Sequence, residues 1–262
     1  MGGAVSNADP HRVPFHRTRH IIRVTIARTA FLVMSTRLLR AAFTGRLKEI
    51  WVGDSHAALT PARELGAPLR HIEDGRWVCH LGPRLQFSIA RQGLPPAVLR
   101  IFRLVGRAKN AKNVLWIYSF GEIDVRCHLV PRMEQPGTYD FVPQYLERIR
   151  EAARATGSER VLVYVPPPES DVAEEQTGFP VVGTLEERTR ALHLMRDAMH
   201  KAAAAMSDDG PRIVLVDCID EFSDENGIWQ WRYTYDGLHT NDEGRAVVRA
   251  KINEVLAAEA GR

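Results

Sequence analysis

A serine, a histidine and an aspartate can together break an ester, and this sequence carries them in two compact clusters. Gly53-Asp54-Ser55-His56 follows the short apolar run Ile50-Trp51-Val52, and Asp236-Gly237-Leu238-His239 lies near the C-terminus. The chemistry needs a nucleophile, a base that takes its proton, and a carboxylate that orients the base. Taken singly, each group has an ordinary explanation. Ser55 would be a turn residue or helix cap, His239 a loop histidine, and Asp236 a turn former ahead of Gly237. What raises them to candidates is position: a Ser closing a first strand, and an Asp-x-x-His just before a capped helix. Asp54 reads as structural, its carboxylate accepting amides of the turn. His56, beside the nucleophile, reads as a substrate contact or a packing group.

Position depends on the elements, and after residue 48 strands and helices alternate. The strand candidates are Glu49–Val52, Trp77–His80, Val114–Tyr118, Val161–Val165 and Ile213–Val216. Each is a short apolar run closed by Gly, Pro or Asp, the pattern of a buried parallel strand. Between them, Tyr145, Leu146, Ile149, Ala152 and Ala153 share a helix face. Thr184-x-x-Glu187 is a capping box opening a helix with the stripe Leu192, Met195, Met199, Ala202 and Met206. Asn241 caps a last helix that buries Val248, Ile252, Val255 and Leu256. Five strands with intervening helices predict one doubly wound, three-layer α/β/α domain of flavodoxin-like type over residues 49–262, with a central parallel five-stranded sheet. Ligands of such sheets bind beyond the carboxyl ends of the strands. Gly53–His56, His80-Leu81-Gly82, Ser119–Asp124 and Asp236–His239 all follow strands, so four separate segments should meet on one rim.

Composition is that of a globular protein: 262 residues, 45% hydrophobic, 26% charged and a net charge of +3, too little averaged over the chain to argue for nucleic acid. Cys79, Cys127 and Cys218 are odd in number and far apart, so a disulfide framework is not expected, and a cytoplasmic setting is the default. Cys79-His80 and Cys127-His128 raise the question of a metal. Adjacent strand residues face opposite ways, so each pair offers one ligand, short of the three or four that zinc needs. No metal and no cofactor are expected.

Residues 1–48 form a basic extension. Between Asp9 and Glu49 there is no acidic residue, while Arg12, Arg17, Arg19, Arg23, Arg28, Arg37, Arg40, Arg46 and Lys48 are all basic. Apolar residues recur at near-helical spacing from Ile26 to Ala41, predicting an amphipathic helix over about 25–43. The preferred reading packs it on the domain with its arginines in water. Contact with an anionic membrane surface or another polyanion is the alternative. A secretory signal is not favoured, because Phe31-Leu32-Val33-Met34 is short and Arg37 interrupts it. Met1-Gly2-Gly3-Ala4-Val5-Ser6 fits a loose myristoylation pattern.

Over residues 49–262 these blocks resemble the SGNH, or GDSL, hydrolase superfamily. The resemblance implies that Ser55 is the nucleophile and that Asp236 and His239 complete its triad. It also implies an oxyanion hole built from the Ser55 amide, a Gly amide matched by Gly82, and the Asn of a Gly-x-Asn-Asp block. That block reads Gly121-Glu122-Ile123-Asp124 here, so Ile123 stands where the family has Asn and its side chain donates nothing. An oxyanion-hole donor is worth about 10²–10³ in rate. The two amides alone could serve, another polar group could fill the place, or the site could be slow or used for something other than hydrolysis. The preferred expectation is the second, with Arg126 or His128 foremost and His56, Glu122 and Asp124 nearby. Trp231, in the aromatic segment leading to Asp236, is a candidate for stacking on a sugar or clamping an acyl group.

The implied activity is hydrolysis of small O-acyl, especially O-acetyl, esters of a carbohydrate or other natural product, with no cofactor. Two alternatives stand beside it. One is O-acyl transfer to a glycan by the same triad. The other is a catalytically silent domain that binds a glycan or a protein partner.

Overall fold

The computed structural model describes residues 13–58, 68–171 and 179–261. In chain order the strands are β1 (Glu49–Gly53), β2 (Leu69–His71), β3 (Arg76–His80), β4 (Leu115–Ser119), β5 (Arg160–Tyr164) and β6 (Arg212–Val216). The helices are α1 (Val13–Phe43), α2 (Gln86–Gln92), α3 (Pro96–Val105), the single turn α4 (Glu122–Asp124), α5 (Phe141–Thr156), α6 (Leu185–Ala204), the short α7 (Ile219–Phe222) and α8 (Asp242–Ala260).

The strands form one sheet in the order β2-β3-β1-β4-β5-β6. All neighbours pair in parallel except β2, which runs antiparallel to β3. The five expected parallel strands are present, and their order is that of a flavodoxin-like sheet. The sixth strand is a correction to the five-stranded reading. Leu69-Arg70-His71 is three residues long with only Leu69 buried, too short for alternation to show in sequence.

Strand alternation divides the core in two. Ile50, Val52, Trp116, Tyr118, Val161 and Val163 face one layer, where α1, α2, α3, α5 and α6 pack. Trp51, Val78, Ile117, Leu162 and Tyr164 face the other, covered by Phe222 of α7 and Val248 and Ile252 of α8. Each large apolar side chain so buried contributes roughly 1.5–3 kcal/mol. The capping box of α6 forms as the sequence predicts, with Thr184 accepting from the Glu187 amide and Glu187 from the Thr184 amide. Asn241 accepts the Gly244 amide at the start of α8 (3.0 Å). The C-terminal half of α1 belongs to the first layer: Leu38 and Ala42 are in its core, and Phe31, Met34, Leu39 and Ala41 pack against it. The amino-terminal hexapeptide considered for myristoylation lies outside the described residues.

Gly53 shows why the chain must be bare where β1 ends. A Cβ there would lie 1.9 Å from the Ser119 carbonyl oxygen of β4, so only glycine lets the two strand ends close. Gly53 is in register with His80 of β3 and Ser119 of β4. The carboxyl ends of three adjacent strands are thereby drawn level, and the chemically loaded segments start from there.

Candidate active site

Ser55 opens a 3₁₀ turn, Ser55–Ala58, immediately after β1. Asp54 builds the turn. Its amide donates to Ser119 O (3.1 Å), and its buried carboxylate accepts the His56 amide (3.0 Å). His239 arrives from the loop between α7 and α8. The Ser55 Oγ to His239 Nε2 distance is 3.0 Å, and His239 Nδ1 lies 2.9 Å from Asp236 Oδ2. The other Asp236 oxygen accepts the amides of Leu238 (2.9 Å) and His239 (2.8 Å). Burial alone would raise the Asp236 carboxyl. The hydrogen bonds from the His239 ring and from these amides outweigh it and hold the group well below the usual carboxylate range. A fixed anion on Nδ1 leaves Nε2 free to take the Ser55 proton.

The loop that carries this pair is clamped. The Tyr235 amide and the Thr234 hydroxyl both donate to His239 O (2.9 Å each), and Gly237 takes the positive φ of 78° that the tight turn needs. Sequence reasoning missed the group that anchors it from outside. Ser170, buried, donates through Oγ to the Gly237 carbonyl. Ser170 is itself held by Arg188 of α6, whose guanidinium donates to Ser170 O and to the buried Glu169 carboxylate (3.1 Å each). Glu169 O in turn accepts the Trp229 amide (3.0 Å). The one signal was the stiff Pro166-Pro167-Pro168 run after β5, which leads straight into Glu169 and Ser170. Residues 172–178, which follow, lie outside the described residues.

Beside Ser55 and His239 is a pocket of about 130 Å³. Its walls include His80 at the end of β3 and Pro83 just beyond it, Ile123 from after β4, and Phe179 and Leu238. The four segments that were expected on one rim do meet there. Gly82 sits between two wall contributors, His80 and Pro83, with φ at 72° and nothing within 4 Å of where its Cβ would be. A larger cavity of about 340 Å³ lies at the amino ends of β1 and β3, around Glu49 and Arg76. The Glu49 carboxylate there is already occupied by the Arg249 fork (2.7 and 2.9 Å) and the Trp51 indole (2.6 Å). Size alone does not make it the site.

The remaining candidates separate clearly. Ile123 is buried in the pocket wall. Glu122 and Arg126 are buried beside it and paired, with Arg126 Nε and one terminal nitrogen on the two Glu122 oxygens. Asp124 does not face the reacting groups. Its carboxylate accepts the amides of Gln86 (2.7 Å) and Phe87 (3.3 Å) and so holds the first turn of α2. His128, one of the two foremost expected donors, is exposed and does not line the pocket, because the turn from Val125 to Leu129 widens to π geometry and carries it outward. Trp231 is also outside the pocket wall, 58% exposed. The buried aromatic of that segment is Trp229, which packs on His56.

His56 lies behind the Ser55–His239–Asp236 chain. Its ring stacks on that of His239 with centroids 5.5 Å apart, and both of its nitrogens are buried without a hydrogen-bond partner. Burial first, then the neighbouring His239 and Arg126, drive its pKa well below the ordinary imidazole value. It is a neutral platform for His239. The three cysteines are buried and unbridged, and burial pushes the Cys79 thiol up to about 12. Among the described residues no group of three or more His, Cys, Asp or Glu side chains is placed to hold a metal ion.

Comparison with known proteins yields a family and a fold. The sequence model of the GDSL-like lipase/acylhydrolase family matches residues 56–252. A comparison with curated proteins finds no match. Among solved structures, one from Streptococcus pneumonia, named for platelet activating factor, is 13% identical with a TM-score of 0.52. It covers 92% of this chain and 99% of its own. A GDSL-like lipase from Bacteroides thetaiotaomicron is 15% identical with a TM-score of 0.47 over 82% of this chain and 90% of that one. A carbohydrate esterase family 3 protein from Talaromyces cellulolyticus is 13% identical, also at 0.47, over 81% and 97%.

Proposed function

Since the chain belongs to the GDSL-like lipase/acylhydrolase family, and is thus an SGNH serine hydrolase, we propose that it removes small O-acyl groups, foremost O-acetyl, from the hydroxyls of a carbohydrate or other natural product. The observation that carries this reading is the unbroken hydrogen-bond chain Ser55–His239–Asp236 beside a pocket of only about 130 Å³. Its apolar walls, Ile123, Phe179 and Leu238, suit a short acyl chain and leave the alcohol portion outside.

In the proposed reaction Ser55 Oγ attacks the ester carbonyl carbon while His239 Nε2 takes the hydroxyl proton. The carbonyl π electrons move onto oxygen, which faces the amides of Ser55 and Gly82. Asp236 keeps the imidazole in the tautomer with Nε2 unprotonated and steadies the imidazolium that forms. Collapse of the tetrahedral intermediate breaks the bond to the alcohol, which leaves with the proton from His239. Water, deprotonated by the same imidazole, then releases the acyl group from Ser55. A sugar hydroxyl in place of that water would make the enzyme an acyltransferase.

Two measurements test the reading. Turnover of p-nitrophenyl acetate should fall by about 10⁶-fold in Ser55→Ala, as loss of a triad nucleophile does elsewhere. A fluorophosphonate should label Ser55 stoichiometrically in the folded protein. Unchanged turnover in Ser55→Ala would remove Ser55 as nucleophile, and failure to label would favour a silent binding domain. Acyl transfer exceeding hydrolysis when glycan acceptors are supplied would replace esterase with transferase.

A further inference from the structure

Position 123 is the one place where the site lacks a donor that its family's pattern supplies, and the structure shows a donor without an acceptor one turn away. Ile123 and Arg126 are three residues apart on continuous helical turns, the spacing that puts two side chains on one face. Both contribute to the pocket wall shared with Ser55 and His239. Arg126 is only 2% exposed. Glu122 engages Nε and NH2, but NH1 is buried with no hydrogen-bond partner. A buried charged donor left unpaired is costly, and in a native site it calls for an explanation.

The arrangement around Arg126 holds it still. Its carbonyl, freed by the wide turn that begins at Val125, accepts the Val182 amide (2.9 Å). Its guanidinium is gripped by Glu122 on two of its three nitrogens. Such wide turns are recurrent at functional sites, where they re-aim a side chain without ending the helix. His56, another of the expected donors, does not line the pocket, turns no hydrogen-bonding atom to a partner and is kept neutral by its surroundings. His128 is exposed and outside the pocket wall.

We propose that Arg126 replaces the missing asparagine, its NH1 hydrogen donating to the carbonyl oxygen as that oxygen becomes negative. This rests on the esterase reading above. When Ser55 Oγ bonds to the carbonyl carbon, the oxygen gains the π electron pair. Arg126 stays protonated throughout and only shares its hydrogen, so the proton traffic remains between Ser55, His239 and the leaving alcohol. A donor closed off from bulk water and already fixed in place costs no reorganisation at that moment, which is where such groups act most strongly.

The test uses the full chain and p-nitrophenyl acetate, with the melting temperature measured for every variant. Arg126→Met alone would strand the Glu122 carboxylate, so it is made together with Glu122→Gln. The double variant should lose about 10²–10³ in kcat with little change in KM, the signature of an interaction made only in the transition state. Adding Ile123→Asn to it should return at least about tenfold, because an amide then stands where the family pattern has one. A merely structural Arg126 would not be rescued in this way. Arg126→Lys, which keeps the charge and disturbs packing least, should lose part of the rate and remains readable if the double variant does not fold. A Ser55-dependent activity within about threefold of the parent in either Arg126 variant overturns the assignment. So does a loss confined to KM. Activity that survives Ser55→Ala would instead remove the esterase reading, and this inference with it.

Discussion

At the scale of single residues, Asp236 is the part of the proposed triad whose effect is most open to separate test. It touches no substrate atom in the proposed reaction. Its whole role runs through His239, which it meets with one oxygen on the ring and the other on the His239 and Leu238 amides. Asp236→Asn should keep the loop in place, since an amide oxygen can still accept those amides. It would present N–H or a neutral oxygen to Nδ1 and favour the wrong tautomer. The expected result is a fall in kcat of about 10⁴-fold at nearly constant KM and melting temperature. A fall of less than about tenfold would mean that the imidazole is oriented by something else. At the same scale, Asp54 shows how little a residue type alone reveals. It stands beside the proposed nucleophile yet works as a turn builder, accepting the His56 amide.

At the scale of elements, the site is assembled by carboxylates that reach across sequence. Asp124, at the end of the short turn after β4, receives the first amides of α2 from 38 residues earlier. It thereby ties the β4 rim to the helix that follows β3. Burial pushes its carboxyl from 3.8 up to about 7, against the pull of those amides. The folded protein therefore holds this proton more tightly than the unfolded chain does. Its contribution to stability is full below about pH 4 and is lost as pH rises to about 7. Denaturant midpoints measured across that window should show this decline in the parent. Asp124→Asn, which has no proton to lose, should show a flatter profile. A parallel decline in both would assign the pH dependence to other groups, such as the buried carboxyls of Asp54 and Glu169, which burial likewise raises.

At the scale of the whole molecule, the basic amino-terminal segment is joined to the catalytic domain through apolar packing. Leu38 is 0% exposed and shares a core with β1, β4 and α3, while Arg28, Arg37 and Arg40 are exposed. Leu38→Ala should lower the unfolding free energy by about 2–5 kcal/mol in a single cooperative transition. A cost below about 1 kcal/mol, or a separate early transition, would mean that α1 folds apart from the sheet. The outer side of the same helix carries Ile26, Leu32 and Val33 in water, 63, 65 and 54% exposed. No helix among the described residues is long and apolar enough to cross a membrane.

What this protein's sequence determined by itself was whatever depends on local pattern. The five parallel strands, the Thr184 capping box, the Asn241 cap and the two clusters holding Ser55, Asp236 and His239 are all written in runs of a few residues. Periodicity and capping chemistry act over such runs. The three-residue antiparallel edge at β2 was not legible, because alternation needs more positions than it has. The anchor Ser170–Arg188–Glu169 was not legible either, since it joins a loop, a helix and the catalytic turn across as many as 67 residues. Only the tertiary structure separates Arg126 from His128. They are two residues apart and both carry N–H donors, and the wide turn from Val125 to Leu129 places one in the pocket wall and the other in water. Residue type sets what a group can do, but its direction in space is fixed by backbone geometry that no count of neighbours in sequence contains.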